Sequence, residues 1–159
     1  MNTLNRSFGD YTFYVEPIAD NLPETMAMWQ DHWNEQKEEE LRGATFKPAI
    51  EYFKYLESHG DFSHITVRCK EELVGHFGLS FGTNKNTSER VAGDDFFYIR
   101  PDHRKGLLGV KLIKFARDYA FTLLAQEFSL SYRVSVQDLD PIMRRCGLRK
   151  IATVYTVRR

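Results

Sequence analysis

Apolar and polar positions change period several times along the chain. Tyr11–Ile18 (YTFYVEPI) is rich in aromatic and β-branched residues and predicts a first strand. Asp20 or Asn21 can cap a following helix, with Pro23 in its first turn. Met26, Trp29, Trp33 and Gln36 recur there at helical spacing, and the pattern runs on into KEEELRG, where Gly43 is a stop. Pro48 opens a second helix with Ile50, Phe53 and Leu56 apolar, and Gly60 ends it. His64–Cys69 and Leu73–Phe81 read as two strands of a hairpin turning at Lys70-Glu71-Glu72. Gly75 and Gly78 inside the second strand point to a bulge or a close backbone approach. Gly82–Gly93 is polar and reads as a mobile loop. The pattern then predicts strand over Asp95–Arg100, helix over Leu107–Ala125 and strand over Phe128–Val136. A short helix begins at Asp138 or Asp140 before Pro141 and ends at Gly147, and Ile151–Val157 is a final strand. This order describes one α+β (mixed α/β) domain over 1–159, with helices packed on the faces of a sheet.

Composition narrows the class. Hydrophobic residues at 42% and aromatics at 14% suit a packed globular chain. There is no apolar run of about 18 residues to cross a membrane. The start, MNTLNRSFGDYTF, has no basic segment followed by an apolar one, so no signal peptide is expected. Cys69 and Cys146 are far apart and form no CxxC, the usage of a reduced, cytoplasmic protein, and no His/Cys cluster has metal-site spacing. Formal net charge is zero but divided. Residues 1–95 hold 17 acidic and 9 basic side chains, a balance of −8; residues 96–159 hold 5 and 13, a balance of +8. The basic half favours an anionic ligand. Nucleic acid is not expected as a partner, since the whole chain carries no positive excess.

Candidate chemistry concentrates in the basic half, in DDFFYIRPDHRKGLLGVKLIK (Asp94–Lys114). It reads as a strand leading through a basic, glycine-containing loop into a helix. Backbone N–H groups at such a helix start lack partners, and the helix dipole is positive behind them, which suits phosphate. His103, Arg104 and Lys105 lie in the same turn. Neither GxxxxGK[ST] nor GxGxxG is present, which excludes a Walker loop and a dinucleotide fingerprint.

YIRPDHRKGLLGVKLIKFA resembles the acetyl-CoA motif of the GNAT superfamily of N-acetyltransferases, in which a strand ending before Pro leads to Arg/Gln-x-x-Gly-x-Gly/Ala and a helix. Here Arg104-Lys105-Gly106-Leu107-Leu108-Gly109 has the spacing Arg-x-Gly-x-x-Gly, similar to small phage-type and bacterial members. His32-Trp33-Asn34-Glu35 resembles a His-x-x-Glu element in their first helix. Leu73-Val74-Gly75-His76 resembles their third strand, and Met143–Leu148 their C-terminal helix ending in Gly-Phe. The resemblance implies a GNAT fold: a mostly antiparallel, twisted sheet of about six to seven strands with helices on both faces. It also implies acetyl-CoA as co-substrate, bound in a V-shaped opening between the strand ending at Arg100 and the next. The backbone of Tyr98, Ile99 and Arg100 would pair with pantetheine, and the amides of Arg104, Lys105, Gly106, Leu107, Leu108 and Gly109 would hold the pyrophosphate.

By the same resemblance, a primary amine attacks the thioester directly, the acceptor being a small cationic amine or a protein lysine. The amine must lose a proton first. Glu35 is the first candidate base, and also reads as a surface carboxylate or an acceptor contact. Asp95 is the second, and His32 reads either as a base or as an orienting group. Met143 stands where many members have the tyrosine acid, leaving Tyr132 and Tyr155 as substitutes; Cys146 reads as packing. A homodimer and, for a phage-type member, a host-protein target are further implications. The alternative is an impaired member that binds CoA or a host protein without acetyl transfer.

Overall fold

The computed structural model describes residues 5–132, 138–154 and 157. Among the described residues six strands form one sheet in chain order, β1 Asn5–Phe8, β2 Tyr11–Val15, β3 Phe62–Cys69, β4 Glu72–Thr83, β5 Arg90–Ile99 and β6 Glu127–Ser129. Every neighbouring pair is antiparallel except β5–β6, which is parallel. The helices are α1 Leu22–Glu35, α2 Glu38–Arg42, α3 Ile50–Ser58, α4 Leu108–Thr122 and α5 Asp140–Arg145. Among the described residues no helix is long and apolar enough to cross a membrane.

Strand alternation sorts side chains between two layers. Phe13, Ile65, Val67, Phe77, Leu79 and Ile99 pack against α4, whose Leu108, Leu112, Ile113, Phe115 and Ala116 are buried, and against Met143 and Cys146 around α5. Each large apolar side chain so buried contributes roughly 1.5–3 kcal/mol. The opposite face holds smaller clusters. Met28 of α1 packs with Leu73 and Tyr98; Trp29, Phe53 and Leu56 cover Ile18, Phe62 and Phe96. Buried Thr25 and Met28 thus lie on the inward stripe of α1, beside the Trp29 that the sequence pattern assigned to it.

Four expectations need correction. The run from α1 into KEEELRG is not one helix: Lys37 takes a left-handed φ of 51°, and α2 starts afresh at Glu38. The polar stretch Gly82–Gly93 is not a loop throughout. Strands β4 and β5 extend into it and pair to Thr83↔Arg90, leaving only 84–89 as the turn, closed by an Asn84 N–H to Glu89 carbonyl bond of 2.9 Å. Its polar side chains reflect exposure, while the backbone is committed to the ladder. The strand predicted over Phe128–Val136 ends at Ser129; residues 130–132 are not strand, and 133–137 lie outside the described residues. The final strand over Ile151–Val157 is absent from 151–154, where Ile151 is 71% and Val154 86% exposed; Tyr155 and Thr156 lie outside the described residues. Conversely, β1 was not expected: its polar NRSF segment pairs with β2 through a turn at Gly9 (φ 59°).

Gly75 and Gly78 of β4 do mark irregular, crowded ladders. Register shifts occur between Val67 and Arg68 and between Gly78 and Leu79. At the second, Gly78 faces Phe96 and Leu79 faces Asp94, so Asp95 is the extra residue of β5. The Phe96 ring lies directly over Gly78: a Cβ there would come within 2.5 Å of Phe96 Cε1.

Candidate active site

Strand β5 is the centre of the site because one of its edges is only partly used. Its pairing with β6 covers Val91↔Glu127, Ala92↔Phe128 and Gly93↔Ser129, then stops. From there to Ile99 no strand among the described residues pairs with the β6 side. On the β4 side, the Arg100 N–H donates to the Val74 carbonyl at 2.9 Å. An antiparallel ladder alternates, so Tyr98 also turns its backbone groups to β4, while Phe97 and Ile99 turn theirs to the open edge. Of the three residues expected to meet pantetheine, Ile99 therefore offers an outward N–H, its carbonyl being taken by Arg104 Nε at 2.6 Å. Both polar backbone groups of Arg100 are taken, its carbonyl by the His103 N–H at 3.0 Å. Phe97, which the sequence reading passed over, offers the second outward amide; counting alternate residues back from Ile99 would have found it.

After β5, Pro101–His103 makes a single 3₁₀ turn. The Arg104 N–H donates to the Pro101 carbonyl and the Lys105 N–H to the His103 carbonyl, at 3.2 and 2.8 Å. Those two expected phosphate amides are thus spent within the loop. The first α4 bond is Lys111 N–H to the Leu107 carbonyl, so the N–H groups of Gly106, Leu107, Leu108, Gly109 and Val110 have no acceptor among the described residues. Gly106 turns the chain with φ +61°, a region where a side chain would be strained. Gly109 differs: a Cβ there would meet Phe97 and Ile99 only at 3.8–3.9 Å, ordinary contact. The protein itself leaves the space at Gly109, and that space belongs to the cleft.

The cleft, about 200 Å³, is walled by His32, Glu35 and Gln36 of α1, Phe97–Ile99 of β5, Arg104–Gly106, Gly109 and Val110, with Leu139, Ile142 and Arg145 on the α5 side. Leu139 and Ile142 were not singled out from sequence. The donors, cations and apolar wall fit a ligand with a phosphate end and an extended amide-bearing arm.

On the α1 side the expected candidates do come together. Arg104 donates from Nη1 and Nη2 to the two oxygens of Glu35, each at 2.7 Å, and from Nε to the Ile99 carbonyl at 2.6 Å. Its guanidinium lies 5.0 Å from the Tyr98 ring centre. His32 stacks on the same ring at 5.1 Å. Burial lowers the His32 pKa to about 4, with Glu35 opposing and Arg104 reinforcing the shift, so the imidazole is neutral at pH 7 and weakly basic. Among the other side chains around the loop, His103 faces away and contacts the Tyr11 hydroxyl through Nδ1 at 3.2 Å, Lys105 lines the cleft, and the Arg100 side chain pairs with Glu72.

Other candidates among the described residues do not line the cleft. Tyr132 follows β6 and directs its hydroxyl toward Asp138 and Asp140, each 3.4 Å away. Tyr155 lies outside the described residues. Met143 is buried, and Cys146 is 1% exposed with its thiol toward the Val110 carbonyl; burial raises its pKa, which suits packing. Asp95, the bulge residue, accepts from the Ser80 hydroxyl through Oδ2, and burial raises its pKa. A second hollow of about 270 Å³ lies at the α1–α2 turn, lined by Trp33, Asn34, Lys37 and Glu38–Glu40.

Comparison with known proteins agrees with this geometry. No curated protein sequence matches the chain. Solved structures match it closely in shape despite low identity. A ribosomal-protein-alanine N-acetyltransferase from Brucella melitensis biovar Abortus 2308 superposes with a TM-score of 0.70 at 16% identity, covering 93% of this chain and 98% of that one. Glucosamine-6-phosphate N-acetyltransferase from Arabidopsis thaliana gives 0.71 at 12% identity, over 93% and 97%. A predicted acetyltransferase with acetyl-CoA from Clostridium acetobutylicum gives 0.69 at 10% identity, over 93% and 96%. The model of the acetyltransferase (GNAT) family matches residues 24–148, most of the chain and all of the cleft, and the protein belongs to that family.

Proposed function

We propose that the protein transfers an acetyl group from acetyl-CoA to a primary amine. One observation carries this reading: the outward backbone groups of Phe97 and Ile99 run directly into the five unpaired amides of residues 106–110. A strand edge suits the amide-bearing pantetheine arm, and the helix start suits the pyrophosphate. With the phosphates at Gly106–Val110, the arm runs up β5 from Ile99 toward Asp95, about 13 Å at ~3.3 Å per residue. The thioester then lies toward the bulge, where the Phe97 N–H is suited to polarise its carbonyl.

The reaction needs a neutral amine. Its nitrogen attacks the thioester carbon, the C–S bond breaks, and the departing thiolate takes a proton. Glu35 was the first candidate base, but both of its oxygens are held by Arg104, and it sits at the Tyr98–Arg104 end of β5. This favours a holding role for Glu35. Asp95 is the better candidate base, acting directly or through water: it has one oxygen beyond the Ser80 contact and stands at the bulge. The acidic hollow at the α1–α2 turn supports a cationic acceptor, a small polyamine-like amine or a protein lysine.

Thiol release from acetyl-CoA, followed with cationic and neutral amines, tests the proposal. Amine-dependent release, faster with cations, is expected; release no faster than without protein contradicts it. One second reading has support: buried Met143 in place of a tyrosine acid, together with the engaged Glu35, favours a member that binds CoA without transfer. Donor binding with no acetylated product would select it.

A further inference from the structure

The open edge of β5 exists because β6 separates from it, and the separation occurs within three residues. At the last rung Gly93 sits flush against Ser129: a Cβ on Gly93 would lie 3.2 Å from Ser129 Oγ. Continuing that register would set Ser131 opposite Asp95 and pair its N–H with the β5 backbone. Instead the Ser131 N–H donates to Oδ1 of Asp94 at 2.8 Å, with the Ser131 hydroxyl 3.4 Å from the same oxygen. A side-chain carboxylate thus stands where a ladder carbonyl would be, and the strands part by its length. The β5 bulge at Asp95 falls at the same point.

We propose that Asp94 is a positioning residue: its bridge to Ser131 fixes the apex of the donor slot and keeps β6 from zipping onto the Phe97–Ile99 edge. This rests on acetyl-CoA occupying that edge. An unpaired strand edge is a ready template for any neighbouring strand, and β6 is the nearest one. Without the bridge, Ser131 is free to pair with β5 and narrow the slot. The bridge also titrates. Burial is the main cause that raises the Asp94 pKa to about 6, and Asp95 is the one ionisable group acting on it among the described residues. From β4 the nearest residues are uncharged Leu79 and Ser80, and from the far side uncharged Ser131. As pH falls through about 6 the carboxylate protonates, its acceptor strength drops, and the slot loses its prop.

The test is calorimetric titration of acetyl-CoA into the parent, Asp94→Ala and Asp94→Asn proteins on either side of that pH, with steady-state kinetics at neutral pH. Asp94→Ala is expected to weaken acetyl-CoA at least about tenfold while kcat at saturating donor changes less than about threefold. Asp94→Asn keeps an acceptor without a charge, so it should bind within about threefold of the parent at neutral pH and lose less affinity on acidification. The donor's own phosphate titrates in this range and affects all three proteins alike. Parent-like affinity in Asp94→Ala overturns the proposal. So does a fall in kcat with unchanged affinity, or Asp94→Asn behaving like Asp94→Ala. If Asp94→Ala does not fold, the different pH profiles of the parent and Asp94→Asn decide. A parent that does not bind acetyl-CoA overturns the donor reading itself, a result distinct from binding that is indifferent to Asp94.

Discussion

Glu35 and Arg104 form a two-point ion pair across one end of the cleft, each contact 2.7 Å, while the same guanidinium caps the Ile99 carbonyl. The pair ties α1 to the loop between β5 and α4. Both side chains are about 30% exposed (29% and 31%), so solvent limits the pair to about 1 kcal/mol of stability. Glu35→Gln should therefore leave unfolding nearly unchanged. Its expected kinetic effect is a change of a few-fold in the KM for acetyl-CoA, with kcat within about threefold. A general base would instead cost about 10²–10⁴ in kcat with little change in donor KM. Separate determination of kcat and donor KM distinguishes the two roles.

Gly109 offers a separation of folding from binding. Its missing Cβ is not demanded by any protein atom closer than 3.8 Å, and alanine is the better helix former by about 1 kcal/mol. Gly109→Ala should match or exceed the parent in Tm yet lose donor affinity about tenfold or more, because the methyl enters the cleft. Thermal unfolding and donor titration on one sample check both halves. Unchanged affinity would place the donor elsewhere.

Gly78 makes the opposite case. An added methyl meets the Phe96 ring at 2.5 Å, inside the aromatic cluster with Trp29, Phe53 and Phe62. Gly78→Ala should destabilise by about 1–3 kcal/mol, a fall of roughly 3–10 °C in Tm for a chain of this size. An unchanged Tm would mean that the ring shifts freely.

Buried His64 and His76 set an acid limit on the fold. Their ring centres are 5.7 Å apart, and none of their four nitrogens has a hydrogen-bond partner among the described residues. Burial lowers the His64 pKa to about 4, with Arg68 contributing; burial, then His64, lowers that of His76. An unfolded imidazole takes up its proton near pH 6.5. Between pH 6.5 and about 4 the unfolded chain thus binds more protons, so stability is full above that window and lost as pH falls through it. For His64 the loss is on the order of 3 kcal/mol. His64→Leu breaks no hydrogen bond and should flatten this acid limb, as read from denaturant unfolding across the pH range. An equally steep limb in the variant would show that other groups cause it.

The fold was legible wherever periodicity and burial agree. The strand–loop–helix unit from β5 to α4 and the hairpin at Lys70 follow the apolar spacing closely, and Gly75 and Gly78 marked a crowded ladder. Polarity misled where side chains and backbone have different partners: the 82–93 stretch looks like a loop because most of its residues are polar, yet its backbone at 82–83 and 90–93 is ladder. Burial misled at Ile151–Val154, where apolar residues are exposed. In the site, Arg104, Glu35, His32 and the glycines could be read from a resemblance, but their mutual geometry could not. That Arg104 engages Glu35, or that Asp94 parts two strands, depends on contacts 69 and 37 residues apart in sequence, which no local pattern encodes.

Titration of acetyl-CoA into the intact protein at neutral pH is the most direct measurement of donor recognition at the β5 edge and the 106–110 amides. Saturable one-site binding with a Kd between about 1 µM and 1 mM is expected, weakened in Gly109→Ala. No binding at millimolar acetyl-CoA, or binding indifferent to that substitution, would contradict it.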